Sequence, residues 1–180
     1  MSKHKPLSFL IHEHILIEKA LALFDDLLHT SVTQVEVLDR LVDFFRTYAD
    51  RCHHGKEENI LFTQSREKTL TPELKKLLED LEFDHKKGRS LVTLIDDTNQ
   101  FFKKGDFTLK DHCIKNIKEL LSLYFRHIEK ENTIFFPGIL PYFSASELEK
   151  MYDAFENFDQ KMIHERYQKI VDDTKKIIKS

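Results

Sequence analysis

His53-His54-Gly55-Lys56-Glu57-Glu58-Asn59-Ile60-Leu61-Phe62 is matched later in the chain by His127-Ile128-Glu129-Lys130-Glu131-Asn132-Thr133-Ile134-Phe135-Phe136-Pro137. Laid over one another, the stretches align His53 with His127, Lys56 with Lys130, Glu57 with Glu131 and Ile60 with Ile134. Each carries His-x-x-x-Glu, and residues four apart share one face of an α-helix. An imidazole nitrogen and a carboxylate oxygen placed this way reach a common metal ion, and the carboxylate can bridge two.

Outward from each pair, apolar residues recur at spacings of three and four. The first stripe is Leu38, Val42, Phe45, Ala49, His53, Glu57, Ile60 and Leu61; the second is Leu120, Leu123, Tyr124, His127, Glu131, Ile134 and Phe135. The pairs therefore belong to buried faces. Unpaired carboxylates there would carry a heavy desolvation cost or turn neutral, and a bound cation satisfies them.

A second duplication lies outside these stretches. Glu13-His14 resembles Asp84-His85, with His14 among Leu7, Leu10, Ile11, Ile17 and Leu21, and His85 among Leu78, Leu81, Val92 and Ile95. The separations from His14 to His53 and from His85 to His127 are nearly equal. The chain thus reads as two copies of one helical hairpin, each bringing a lone histidine and a His/Glu pair to a shared centre. The candidate metal ligands are His14, His53, Glu57, His85, His127 and Glu131. Imidazole with carboxylate suits iron, manganese or zinc rather than calcium or magnesium, and bridging carboxylates favour iron or manganese.

The breaks between stripes give five helices. Helix A covers about Leu7–Leu28, its apolar stripe continuing from Leu21 through Phe24 to Leu28. Helix B opens on the capping-box pair Thr33 and Glu36 and runs to about Arg66. Thr71-Pro72 opens helix C, which reaches about Phe102. Thr108 and Asp111 suit the start of helix D, which ends at Pro137-Gly138. Ser144 and Glu147 cap a single helix E that presents Met151, Phe155, Met162, Ile163 and Ile170 on one side. Short connections predict an all-α, up-down-up-down four-helix bundle over about residues 7–140, with an additional C-terminal helix over about 145–178, all in one domain.

The 180 residues suffice for one buried core. A net charge of −3 with mixed signs gives no nucleic-acid footprint. No apolar run is long enough to span a membrane, and Met1 to Pro6 starts no signal peptide, so a cytoplasmic protein is expected. Cys52 and Cys113 read as free thiols.

The HHGKEENILF and HIEKEN stretches, together with Glu13-His14 and Asp84-His85, resemble the hemerythrin-like (HHE cation-binding) domain family over roughly residues 7–140. His164-Glu165-Arg166-Tyr167 is similar to the last helix of bacterial members. The resemblance implies a four-helix bundle holding two iron ions, with manganese or zinc as alternatives. His14, His53, His85 and His127 would be terminal ligands, and Glu57 and Glu131 bridging ones. It also implies a small diatomic ligand or peroxide as the partner. Oxygen carriers of the family place a fifth histidine one turn after the helix C ligand. Arg89 stands there in this chain, closer to four-histidine, two-glutamate members linked to redox or nitric-oxide chemistry.

Other polar residues near the stripes carry weaker expectations. His54 lies roughly 100° from His53 on a straight α-helix, in line with Thr47, Arg51 and Glu58 on a wet face, and is expected either to stand behind the ligands or to be exposed. Glu58 follows it there. Glu18 and Arg89 are expected to pair across the bundle or to remain surface charges. Tyr124 and Asp50 are candidates for orienting a ligand imidazole. Gly88 leaves room for a small ligand or for close helix packing. His12 falls near Phe9, Ile15 and Lys19, off the centre of the core, and His4, His29, His112 and His164 have no ligand partner in register. Besides a ligand-reactive di-iron protein, two readings stay open: a metal- or oxygen-sensing module without turnover, and a ferritin-like carboxylate protein. The latter rests on Glu82-x-x-His85, which occurs once.

Overall fold

A computed structural model describes residues 5–159 and 163–179, so His4 and Met162 lie outside the described residues. The protein is all-helical there, with no strand among the described residues. Helix α1 is Lys5–His29. Helix α2 covers residues 35–66: Val35–Phe44 continues through wide π-helical turns, Phe45–His54 and Glu57–Phe62, into Thr63–Arg66. Helix α3 is Pro72–Phe102. Helix α4 covers residues 110–139, as Lys110–Lys130, the π-helical turn Glu131–Phe135, and Phe136–Ile139. Helices α5 and α6 are Ala145–Phe158 and Ile163–Lys179.

Each bundle helix packs on the next, and α4 returns to α1, which closes the four-helix arrangement. Helix α5 lies against α1 and the second π-helical turn of α2; α6 lies against α1 and α2. The C-terminal pair therefore covers the α1–α2 edge. This is why Phe44, Tyr48, Cys52 and Lys56, a row at four-residue spacing on the outer side of α2, are all buried.

Local signals explain most helix ends. Thr71 Oγ1 accepts from the Leu74 amide and Pro72 occupies the first turn of α3. Ser144 and Glu147 form a complete capping box on α5. Gly105 takes φ +77°, the left-handed turn that lets α3 hand over to α4.

Several boundaries differ from expectation. The N-cap of α2 is Gln34, without a side-chain cap. Thr33 engages Ser31 instead, and Glu36 accepts from Arg40. Helix α4 starts after Leu109, while Thr108 hydrogen-bonds to Asp106. It also runs past Pro137 to Ile139, because Pro137 falls in the first turn of a helical segment that restarts after the π-helical turn. The expected single helix E is two helices; Asp159 turns extended at ψ 128° and ends α5. Ile11 and Ile134, expected on the buried stripes, are 38% and 55% exposed.

Two apolar clusters fill the bundle. One includes Ile17, Leu21, Ala49, Val92, Leu120 and Tyr124, and the other Leu10, Leu61, Phe62, Leu81, Phe135 and Met151. Between them lies a buried polar layer. His14 falls between Leu10 and Ile17, His53 between Ala49 and Leu61, His85 between Leu81 and Val92, and His127 between Tyr124 and Phe135. No helix among the described residues is long and apolar enough to cross a membrane.

Candidate metal centre

The polar layer brings all six candidate ligands together, each no more than 3% exposed. Each bundle helix contributes one histidine, and α2 and α4 add their carboxylates one turn further along. The duplicated His-x-x-x-Glu spacing places Glu57 Oε1 3.5 Å from His53 Nε2 and Glu131 Oε2 3.2 Å from His127 Nε2. Both carboxylates also reach the opposite half. Glu57 Oε2 lies 3.4 Å from His85 Nε2, and Glu131 Oε2 lies 3.2 Å from His14 Nε2. The two glutamates thus stand between two pairs of imidazoles.

The outer nitrogens of these rings are held in rotation around the bundle. His14 Nδ1 lies 2.9 Å from Asn132 Oδ1 on α4. His53 Nδ1 lies 2.9 Å from Glu13 Oε2 on α1, and His85 Nδ1 2.7 Å from Glu58 Oε1 on α2. His127 Nδ1 faces Asp84 Oδ2 on α3 at 3.7 Å. An acceptor opposite Nδ1 keeps the proton on that nitrogen, which leaves Nε2 as a bare lone pair. Yet His14 Nε2 and His53 Nε2 are 2.9 Å apart, and His85 Nε2 and His127 Nε2 are 3.2 Å apart. Four lone pairs and the oxygens of Glu57 and Glu131, which have no hydrogen-bond partner, converge on one dry space. Acceptors crowded this way repel one another unless cations lie among them.

Electrostatics agree with that reading. Burial, reinforced by neighbouring imidazoles, pushes His53 and His85 well below the usual imidazole range. The rings are therefore neutral, as metal ligation requires. Burial, and then the Glu131 charge, drives Glu57 well above the usual carboxylate range. Donors of this kind, with oxygens aimed at both halves, fit iron, manganese or zinc.

The pattern missed several participants. Asn132 and Glu58 each follow a carboxylate of the centre, and Glu13 and Asp84 each precede a lone histidine, so their duplicated positions were the signal for their orienting role. Lys56 and Lys130, aligned in the repeat, form close ion pairs with Glu13 and Asp84 respectively. Glu18 is exposed and does not meet Arg89. Arg89 instead donates to Asp50 and to Glu58, each at 2.7 Å, because these lie on the facing side of α2. Gly88 packs against Tyr124, whose ring would lie 3.3 Å from an added Cβ, so close helix approach explains it.

His54 is the main departure from the α-helical reading. It is 2% exposed and its ring stacks on His85 at 3.8 Å. A π-helical turn advances each residue through a smaller angle than an α-turn, so the wet-face phase deduced for residue 54 does not hold there. His164, beyond the bundle, sits 2.8 Å from Asp159 and 2.9 Å from the Tyr48 hydroxyl. The cluster it forms with Glu13, Cys52 and Asp159 already contains the Lys56 ammonium, a cation that satisfies it. His12, His29 and His112 are exposed.

No curated protein and no solved structure matches the chain significantly. The family model of the hemerythrin HHE cation binding domain matches residues 5–139, which takes in all six converging side chains and all four bundle helices. The chain belongs to the hemerythrin HHE cation-binding domain family.

Proposed function

We propose that the centre holds two iron ions and that the protein binds or reacts with a small ligand, namely oxygen, nitric oxide or peroxide. His14, His53, His85 and His127 would be terminal ligands, with Glu57 and Glu131 bridging. The observation that carries this is the convergence of four imidazole Nε2 atoms and two unpartnered carboxylates. An iron pair bound there would supply one- and two-electron chemistry toward such a ligand.

The protein's own part is to hold, orient and exclude. Asn132, Glu13 and Glu58 fix three of the imidazoles about their axes, and Asp84 faces the fourth, that of His127, at 3.7 Å. Apolar clusters above and below keep bulk water out. A cleft of about 240 Å³ between α2 and α3 ends at Asp50, Arg89 and Tyr124. The Tyr124 ring is 6.3 Å from His127, so one side chain separates that cleft from the centre.

A sensing role without turnover is favoured by one further observation. Asp159, between α5 and α6, reaches His53 through Lys56 and Glu13. Reconstitution with iron(II) under anaerobic conditions, followed by metal analysis and visible spectra under air, peroxide and nitric oxide, tests both readings. We expect about two irons per chain and spectral change with at least one ligand. Binding without consumption of peroxide or nitric oxide selects the sensing role. A colourless, metal-free protein that folds normally would end both.

A further inference from the structure

We propose that the outer face of α3 is a docking surface for a second copy of this chain, which lies antiparallel across it and uses the same residues. The proposal stands apart from the metal reading, since this face is on the side of α3 turned away from the polar layer.

At about 100° per residue, Phe83, Lys86, Ser90, Leu94, Asp97 and Phe101 fall within an arc of about 80°. All six are exposed, and their arc lies opposite the one that buries Leu81, His85, Val92 and Ile95. Phe83 is 66% exposed, Leu94 46% and Phe101 44%. A single apolar residue in water needs no explanation, whereas three along one stripe of one helix mark an interaction surface. Helices α5 and α6 cover the α1–α2 edge and leave this stripe open. Its spacings of three and four are those by which one helix seats its side chains on another.

The order of the six residues selects the occupant. From either end the stripe begins with a phenylalanine and then a charge, and the two charges are of opposite sign. A copy laid antiparallel sets Phe83 of each chain against Phe101 of the other, Lys86 against Asp97, and Leu94 against the small Ser90. Each contact then occurs twice, as a two-fold interface requires. Neither Lys86 nor Asp97 forms an ion pair among the described residues, so both remain available to a second chain. A parallel copy would set Lys86 against Lys86 and Asp97 against Asp97, like charges that repel. From Phe83 to Phe101 the face is about 27 Å long and one helix wide, about 10 Å. That area is small beside the interfaces of permanent complexes, so the association is reversible.

Sedimentation equilibrium of the full chain, from micromolar to near-millimolar concentration, tests this. We expect the mean mass to climb from one chain towards two. A mass of one chain throughout would overturn the proposal. Lys86→Glu and Asp97→Lys, each alone, bring like charges together and should weaken self-association at least tenfold. Both positions are exposed, and an unchanged thermal midpoint identifies each variant as folded. An equimolar mixture of the two restores both opposite-charge pairs in one antiparallel dimer, and should associate as the unaltered chain does. Variants that dimerise as well as the unaltered chain would refute this face as the interface. A mixture that stays monomeric would refute the antiparallel register.

Discussion

The Lys56 ammonium lies 2.6 Å from Asp159 Oδ1 in a place with no solvent exposure, while its counterpart in the repeat, Lys130, remains 31% exposed beside Asp84. Both lysines neutralise a carboxylate that orients a histidine, Glu13 for His53 and Asp84 for His127. The difference comes from α5 and α6, which bury the first copy and leave the second open. Burial lifts Glu13 to about 6 although Lys56 pulls it down. For Lys56 itself burial acts downward, but Glu13, Cys52 and Asp159 together outweigh it and the ammonium is held above its usual range.

Removing the two lysines should therefore have unequal consequences. Lys56→Met leaves Glu13 and Asp159 uncompensated in a dry setting, a loss of about 3–5 kcal/mol. Lys130→Met breaks a partly solvated pair, worth roughly 1 kcal/mol or less. Urea unfolding of the metal-free variants measures both. Equal losses would show that the C-terminal helices do not isolate Lys56 from water.

Metal removal should destabilise the bundle more than any surface change. A ligand bound only by the folded state adds about 2.7 kcal/mol per site at a hundredfold excess over its Kd. The Nε2 atoms of His14 and His53 lie only 2.9 Å apart, and the oxygens of Glu57 and Glu131 beside them have no hydrogen-bond partner. Chelation is expected to lower the thermal midpoint, and iron(II) or zinc(II) to restore it in proportion to loading. A midpoint indifferent to metal would contradict the placement of cations in this layer.

Glu57 and Glu131 each approach imidazoles from both halves, whereas each histidine belongs to one. Glu57→Gln or Glu131→Gln is thus expected to weaken both ions, and His14→Ala chiefly one. Metal analysis after desalting separates these outcomes: loss of both ions in the glutamine variants and of about half the metal in His14→Ala. Glu58→Gln should keep the stoichiometry but weaken binding about 10–100-fold, since Glu58 acts on His85 through its Nδ1.

The centre was legible in the sequence because its parts are duplicated and lie on apolar stripes. The spacing of His53 to Glu57 and of His127 to Glu131 requires only that the helix persist. What it could not convey was phase. The π-helical turns at Phe45–His54, Glu57–Phe62 and Glu131–Phe135 shift the faces of α2 and α4, turning His54 inward and Ile134 outward. The division of the last helix was hidden for another reason. Asp159 and His164 find partners on Tyr48, Cys52 and Lys56, far away in the chain, and local pattern does not register such contacts.

The start of α5 gives a pH-dependent prediction away from the metal. Lys68, followed by the Ser144 amide and hydroxyl, holds Glu147 down at about 2, against 4.5 for the ordinary side chain. The folded value lies below the unfolded one, so this contribution is complete above about pH 4.5. It fades as the pH falls through 4.5 toward 2. Side-chain carboxyl resonances of Glu147 should titrate near the lower value in the native protein. Ser144→Ala removes the cap and should cost about 1 kcal/mol at neutral pH, and with Lys68→Met should bring Glu147 back toward 4.5. A Glu147 signal that titrates at 4.5 in the unaltered protein would mean that the capping box does not form in solution.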